Sequence, residues 1–476
     1  MKIALALGAA TALVAGALVA PAATAAPAPA PALVKKTFTV FGKFDTRQTV
    51  PYGNAKGIGN LTITQGTVTD ESGNKAGTLT TVIRVVAPSP KPDAELRDTQ
   101  SSVTLKDGTI FAQAVNEDPK GGPPKTLTIM PVTGGTGAYA SARGTLIMYP
   151  QDGKYRMAYD LFVDKDLKST TLTFGSVQRS EATGTGAQGI GDVMLSYGVG
   201  ADDSYIAVAT RAGLSSGVVT SSVDLQVFTS TGSLFARAIT RAKAGDSKDQ
   251  AYAVMGGTGS YSGYRGELTM KSTGRSMTVR LAAPTGESKP LTWVEVDGAA
   301  TTVAITGGSL VAAKGAMYEK ADKKKQVGDL FFSQTTYDAI GGVTPIATMI
   351  EQDFKTGTML VTGITLSTGA GGPAVLRPIV GGTGDYGGAA GQVSSIRDAS
   401  GMWRKAARFW RWPPAGEPRS PLRIASIVQS EESRDPSRRG CHAQAGDPRP
   451  PGPRCLGGPR PPRNLGCERC AAGQAL

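Results

Sequence analysis

The chain has 476 residues, of which 19% are charged and 6% are aromatic, and its formal net charge is +13. The charge is concentrated in the tail, because residues 401–476 contain 14 basic and 6 acidic side chains. The preceding sequence is nearly balanced, so composition excludes a strongly basic nucleic-acid-binding surface there, and we predict no nucleic-acid partner.

The N-terminus has the features of a secretory signal. Lys2 supplies a positive charge, residues 3–20 are an apolar run, and Ala23-Thr24-Ala25 fits a cleavage site. We therefore expect residues 1–25 to be removed and the protein to be secreted, with no membrane association after cleavage. An uncleaved anchor is the alternative, because the run is barely long enough to span a bilayer. An Ala/Pro linker, residues 26–35, follows.

Alternating apolar and polar residues predict β-strands over most of the chain. Residues 37–41, 225–228 and 276–281 alternate, and turn signals such as Asp107-Gly108 bound such runs. No amphipathic helix longer than two turns is evident. About eight strands per repeat would close into antiparallel barrels, because closure removes exposed strand edges.

One short phrase, Gly-Gly-Thr-Gly-x-Tyr, occurs three times and defines the domain organisation. Its copies begin 122 and 125 residues apart, at Gly134, Gly256 and Gly381. A period of this size predicts tandem domains. We place three barrel repeats at residues 36–165, 168–285 and 288–412, the third being the most diverged.

Two further matches support this repeat. A predicted strand precedes each copy of the phrase. It begins at Gly108, 26 residues before the first copy, and at Gly232 and Gly357, 24 residues before the second and third copies. In the first two copies, residues 101–105 (SSVTL) also match residues 221–225 (SSVDL). The three barrels either pack together as an intramolecular trimer, which linkage would favour, or follow one another as separate beads.

The glycines of the phrase are predicted to form tight turns with positive φ and close backbone approach. A phosphate-binding loop is rejected, because it needs a helix after the glycines and residues 144–149 are typical of a strand. The GTGAQG stretch at residues 184–189 also leads into a predicted strand. The predicted turn residues are Gly134, Gly135, Gly137, Gly256, Gly257, Gly259, Gly381, Gly382 and Gly384.

The tail differs in character from the repeats. Residues 413–476 contain 12 prolines, many arginines and no periodicity, so we expect disorder. One hypothesis is that the authentic reading frame is lost near residue 406. The tail also holds all four cysteines and the single histidine, His442. Their irregular spacing argues against a zinc site in the tail. Because the repeats contain neither cysteine nor histidine, they lack Ser-His, Cys-His and histidine-metal sites. We predict no metal and no cofactor.

The phrase followed by Ala142-Arg143-Gly144 or Tyr264-Arg265-Gly266 resembles the allene oxide cyclase and dirigent superfamily, as does the Asp107-to-Ile110 turn and strand upstream. The resemblance spans each repeat in outline. It implies eight-stranded antiparallel barrels that commonly form trimers.

In some dirigent members an arginine at this step lines the pocket with an acid just after the glycine turn. Here the pair is split between copies. The first two copies have Arg143 and Arg265 but Ala138 and Ser260 at the acid position, whereas the third has Asp385 but Ala390 in place of the arginine.

The ligand-binding candidates are therefore the arginines, the acid and the aromatics at repeated strand positions, which would either pack in the core or line an apolar cavity. They are Arg143, Arg265, Phe111, Phe235, Tyr139, Tyr261 and Asp385. We expect a secreted module that binds an apolar small molecule or serves structural contacts. The alternative is a cofactor-independent cyclase or stereo-directing protein that holds a reactive apolar substrate in one conformation.

Overall fold

The computed structural model describes residues 33–411 except 53–56, 90, 185–188, 216–217, 244–247, 286 and 368–374. The predicted signal, most of the predicted linker, and the tail from Trp412 onward lie outside the described residues. The described part is all-β, with short 3₁₀ turns as its helical elements, which confirms the predicted fold class. Among these residues no helix has the length and apolar character needed to cross a membrane.

Barrel 1 is a closed antiparallel barrel in which each strand pairs with the next and the last pairs with the first. The long first strand does this by pairing with β8 over its first half and with β2 over its second half. The strands are β1 (Leu33–Val50), β2 (Leu61–Thr69), β3 (Lys75–Pro88), β4 (Ala94–Leu105), β5 (Gly108–Pro119), β6 (Thr128–Gly135), β7 (Arg143–Gln151) and β8 (Lys154–Asp164).

Barrel 2 has the same order, but its first strand is interrupted at Phe174 and Gly175, so the sheet contains nine strands. The amides of these two residues donate to the carbonyls of Arg275 and Val199, which continues the ring across the break. The strands are β9 (Lys168–Thr173), β10 (Ser176–Ala182), β11 (Val193–Val199), β12 (Ser204–Ser215), β13 (Val218–Thr229), β14 (Gly232–Lys243), β15 (Gln250–Gly259), β16 (Arg265–Met270) and β17 (Ser276–Ala282).

Barrel 3 likewise splits its first strand in two. The first part of this strand, β18, pairs with the last strand, β26, and with β20, which closes the ring. The second part, β19, pairs with β20 alone. The strands are β18 (Lys289–Asp297), β19 (Thr301–Ile305), β20 (Gly308–Tyr318), β21 (Gln326–Tyr337), β22 (Thr344–Phe354), β23 (Gly357–Ser367), β24 (Val375–Gly382), β25 (Ala390–Arg397) and β26 (Trp403–Trp410).

The three glycines of the repeated phrase have three different roles. In barrel 1 the last of them, Gly137, has φ of +62°, as the predicted turn requires. A Cβ on the middle one, Gly135, would lie 2.4 Å from the carbonyl oxygen of Tyr139, so the turn closes directly on this position. The first, Gly134, faces barrel 2, where a Cβ would meet Ala253 at 3.2 Å and Met255 at 3.3 Å.

The contact of the first glycine is repeated cyclically around the molecule. Gly256 of barrel 2 faces Pro378 of barrel 3 at 3.0 Å, and Gly381 of barrel 3 faces Pro131 of barrel 1 at 3.0 Å, measured to the Cβ that each glycine lacks. Strands β6, β15 and β24 therefore pack around a common centre. The phrase marks both a turn and the interface between barrels.

Two layers of hydrogen bonds also join the barrels, and their donors run around the molecule in opposite directions. The Gly137 amide of barrel 1 donates to Glu267 of barrel 2 at 2.5 Å, and the Gly259 amide of barrel 2 donates to Gln392 of barrel 3 at 2.7 Å. In the second layer, Val115 of barrel 1 donates to Glu351 of barrel 3, and the amide of Ile364 in barrel 3 donates to Gln226 of barrel 2.

The strand register corrects one of the sequence matches. Leu105 pairs with Gly108 at the end of its hairpin, whereas the residue that pairs with Gly232 is Thr229. Leu105 therefore corresponds to Thr229, and the match of residues 101–105 with 221–225 was wrong by four positions. A shift by an even number of residues keeps the inward and outward faces of a strand, so alternation alone does not reveal it.

Candidate functional site

The lumen of barrel 1 contains a cavity of about 480 Å³ at one end. This is within the usual range for small-molecule sites. The other end of the lumen is filled by rings, since Phe38 packs on Tyr139 and Tyr159 with centroids 6.1 and 5.0 Å apart. The cavity is lined by Lys43, Phe44, Arg47, Thr64, Thr81, Ile83, Thr99, Ser101, Pro123, Pro124, Met148, Pro150, Gly153, Lys154 and Tyr155.

The cavity exists because several adjacent strands place small residues on their inward face. Thr64, Thr81 and Ser101 lie side by side on β2, β3 and β4. Farther along the same strands the inward positions hold large residues, such as Leu79 and Val103, which are fully buried in the barrel core. Threonine favours strands as valine does, so this part of the barrel keeps its strands while leaving its centre open.

Two threonines of the cavity wall have a hydroxyl without a hydrogen-bond partner in the described part of the chain. Thr64 and Thr99 are each only 3% exposed, and the Oγ1 atoms of both are buried without a partner. Because an unsatisfied buried polar group costs about 1–3 kcal/mol, such groups are uncommon unless a bound molecule or water satisfies them. Both threonines belong to the lining of the cavity, although their Oγ1 atoms are not exposed to it.

The charged residues of the lining are all basic: Lys43, Arg47 and Lys154. None of the three forms an ion pair in the described part of the chain. Burial, followed by the nearby charge of Arg97, lowers the pKa of Arg47. Arg97 is itself neutralised, because its side chain lies 2.6 Å from Glu95. Asp118 also lies 3.8 Å from Arg97, so two acids face two arginines at this end of the barrel.

The loop between β5 and β6 is fastened over the cavity. The Tyr155 hydroxyl donates to the Pro124 carbonyl at 3.0 Å, and Arg97 donates to the carbonyls of Pro119 and Gly122 at 2.6 and 2.7 Å. Burial raises the pKa of Tyr155, which keeps it a phenol donor. These bonds hold Pro123 and Pro124 in the cavity wall.

Barrel 2 has a cavity of about 280 Å³ in its lumen. Its lining corresponds to that of barrel 1 by strand register. Arg179 pairs with Ser196 and Ser196 with Ala207, just as Arg47 pairs with Thr64 and Thr64 with Thr81. The lining consists of Arg179, Met194, Ser196, Tyr205, Ala207, Ala209, Ser221, Val223, Thr240, Ala242, Lys248, Gln250, Tyr252, Met270, Lys271, Ser272 and Gly274.

The lumen of barrel 3 holds a buried polar network. Lys405 lies 2.9 Å from Glu295, and both side chains are almost completely buried. Trp293 and Gln352 donate to the other oxygen of Glu295 at 2.9 and 3.0 Å. Lys405 also donates to Ser395, which occupies the position of Met148 in barrel 1. This end of barrel 3 is thus occupied by its own side chains.

The arginines of the x-Arg-Gly step lie outside these cavities. Arg143 forms an ion pair with Asp164 at 3.0 Å. It pairs with Phe162 of β8, whereas Tyr155 of the cavity lies at the other end of that strand. Arg265 is fully buried where the barrels meet, and donates to the carbonyls of Thr133 in barrel 1 and Ala389 in barrel 3. It therefore fastens barrel 2 to both neighbours.

The two predicted phenylalanines also face the interface. Phe111 and Phe235 belong to an apolar cluster with residues of all three barrels, including Met255 and Leu360. The residues on either side of Phe111 in β5, Ile110 and Ala112, point into the core of barrel 1 instead. Phe111 therefore lies on the outward face of β5, where the other barrels cover it.

The predicted tyrosines lie at the phrase end of each barrel. Tyr139 and Tyr386 are buried, the latter 4.9 Å from the ring of Phe354, and Tyr261 packs edge-on against Tyr264. Asp385 lies in the adjoining turn, where its amide donates to the Thr356 carbonyl. None of these residues contributes to the cavities described above.

A smaller polar cavity of about 70 Å³ lies between the three barrels. Asp98 is buried in its wall and accepts hydrogen bonds from Gln113 and Gln100, and burial raises the pKa of this carboxyl. Arg237 of barrel 2 is bonded to Asp224 and reaches across to Gln113. Among the described residues, no cluster of acidic, histidine or cysteine side chains could hold a metal ion.

The fold and its cavities define a protein of tandem antiparallel β-barrels. No protein-family model and no curated protein matches the chain. Among solved structures, a pyocyanin demethylase is similar at 22% identity, covering 26% of this chain and 99% of that chain with a TM-score of 0.23.

AbnU, an exo-specific intermolecular Diels-Alderase, is similar at 16% identity, covering 28% of this chain and 99% of that chain with a TM-score of 0.23. A mutant Rh. blastica porin covers 79% of this chain and 99% of its own at 10% identity, with a TM-score of 0.13. These scores are too low to bear on function.

Proposed function

We propose that the protein is a secreted binding protein whose first barrel takes up an apolar small molecule in its lumen. The observation that carries the proposal is the 480 Å³ cavity in the lumen of barrel 1, whose wall includes the apolar side chains of Phe44, Ile83 and Met148. Burial of the ligand's apolar surface supplies the main driving force, about 25 cal/mol per Å².

Secretion is the second part of the proposal. It is supported by the single lysine, the apolar run and the cleavage motif within residues 1–25. The mature chain then begins at Ala26. N-terminal sequencing of the protein recovered from the growth medium tests this start site.

Matched substitutions at equivalent positions of two barrels test the site. Thr81→Phe fills the cavity of barrel 1, and Ala207→Phe makes the corresponding change in barrel 2. With the neutral fluorescent probe N-phenyl-1-naphthylamine, we expect Thr81→Phe to weaken the binding by about tenfold or more, which is about 1.4 kcal/mol. Ala207→Phe is expected to leave the binding of the probe to barrel 1 unchanged. A titration that is equal in the two variants would refute the site in barrel 1.

A cofactor-free cyclase or stereo-directing activity is the second candidate for the same lumen. It is favoured by the basic side chains of the lining, Lys43, Arg47 and Lys154, because cationic groups stabilise developing negative charge. Identification of the molecule carried by the purified protein separates the candidates: an unreactive compound supports binding alone, whereas a strained or cyclised one calls for turnover assays.

A further inference from the structure

The lumen of barrel 2 differs chemically from that of barrel 1. Tyr205 and Tyr252 are buried in its wall at positions that barrel 1 fills with Leu79 and Met130. Ser196, Ser221, Thr240 and Gln250 add further polar groups to the lining. Barrel 2 thus offers a smaller cavity with two phenols at positions where barrel 1 has apolar side chains.

The two phenols are available as donors to an occupant. In the described part of the chain neither hydroxyl makes a hydrogen bond to protein. Burial raises the pKa of both tyrosines, so each keeps its proton. The turn over Tyr205 leaves room for its hydroxyl only because residue 274 is glycine, where a Cβ would lie 2.8 Å from that oxygen.

The same cavity has unbalanced positive charge. Arg179 and Lys248 line it, and neither forms an ion pair with a described residue. Lys271 is different, because Asp249 neutralises it at 2.6 Å. Among the described residues, no acidic side chain belongs to the lining. An anion at this rim would gain charge-assisted hydrogen bonds, which are stronger than those between neutral groups.

We propose that barrel 2 is a second, independent binding site for a small aromatic or alicyclic carboxylate. The ring would lie among Ala207, Ala209 and Val223, and the carboxylate would bind Arg179 and Lys248. The phenols of Tyr205 and Tyr252 would donate to acceptors on the ligand. This site does not depend on occupancy of barrel 1, so one chain would carry two ligands of different chemistry.

The test uses the full chain carrying Thr81→Phe, so that barrel 1 is filled. Calorimetric titrations compare 2-naphthoate with its neutral isostere 2-naphthamide. We expect the acid to bind about tenfold more tightly, since a hydrogen bond to a charged group contributes about that factor. Arg179→Gln should remove this preference.

Arg47→Gln is the matched control, because it removes the equivalent arginine of barrel 1 and should leave both titrations unchanged. Arg179 is exposed, so its substitution leaves the fold intact. Equal affinity for acid and amide, absence of binding, or insensitivity to Arg179→Gln would each overturn the proposal. Failure of the chain without Thr81→Phe to bind N-phenyl-1-naphthylamine would contradict the site in barrel 1 and leave the site in barrel 2 unaffected.

Discussion

Arg265 shows how a single side chain can connect three domains. Its guanidinium is fully buried and donates to carbonyls of all three barrels, those of Thr133, Met255 and Ala389. Burial, and then the nearby charge of Arg143, lowers the pKa of Arg265 to about 9. The arginine fork suits this role because it presents several donors in a fixed plane.

Replacement of this arginine should destabilise the whole assembly. Arg265→Met keeps much of the volume but leaves the three carbonyls without their donor, and we expect a loss of about 3 kcal/mol. Urea unfolding followed by circular dichroism measures it. Arg280→Met is the control, because Arg280 is half exposed and its pair with Glu267 spans 3.7 Å; the expected change is under about 0.5 kcal/mol. Similar midpoints for both variants would contradict the role assigned to Arg265.

The small hydroxyl residues matter at the same scale. Thr64, Thr81 and Ser101 are ordinary strand residues in the sequence, and nothing local distinguishes them. Whether an inward threonine leaves an open space depends on what the other strands of the barrel bring to that level, including Phe44 and Met148, which are distant in sequence. The cavity was therefore not predictable at the level of named residues.

At the scale of elements, alternation predicted the strands well. Residues 37–41 lie within β1 and residues 276–281 within β17, as expected. The strand predicted after the first phrase is β7. The stretch around residue 406, where the sequence raised the hypothesis of a lost reading frame, forms part of strand β26. Its alternate residues Lys405, Ala407 and Phe409 are buried.

What alternation could not supply was the environment of each face. The outward face of β5 is normally the solvent side of a barrel, yet Phe111 on it is only 3% exposed because the other barrels cover it. The sequence analysis gave the phenylalanines as core residues or as the wall of a cavity, and did not foresee that other barrels cover them. Their positions repeat because the interface repeats.

The contact between β22 and β5 should make stability depend on pH. Glu351 is 5% exposed and accepts the Val115 amide at 2.7 Å, and burial raises its pKa from 4.5 to about 8. A carboxyl whose pKa is higher in the folded state contributes stability that is complete below about pH 4.5. That contribution is lost as the pH rises through about 8.

Glu351→Gln isolates this effect, because glutamine keeps an acceptor for Val115 and does not titrate. We expect the wild-type chain to lose stability relative to the variant between about pH 5 and 8, with a constant difference above that range. Thermal unfolding across this pH series measures the difference. A difference that does not change with pH would show that Glu351 is already ionised in the folded chain.

At the scale of the whole molecule, the three barrels follow one plan with different interiors. Cyclic contacts of Gly134, Gly256 and Gly381 join the barrels. The lumens diverge from a largely apolar cavity in barrel 1, through a hydroxyl-rich one in barrel 2, to the Glu295–Lys405 ion pair in barrel 3. Shared outer contacts with divergent interiors are consistent with an assembly whose barrels have separate binding roles.

The central claim is that barrel 1 carries an apolar ligand, and native mass spectrometry of the secreted protein tests it most directly. We predict a bound mass of small-molecule size on the unmodified chain and on Ala207→Phe, and its absence from Thr81→Phe. A ligand-free mass for the unmodified chain, or the same bound mass remaining on Thr81→Phe while Ala207→Phe loses it, would contradict the account.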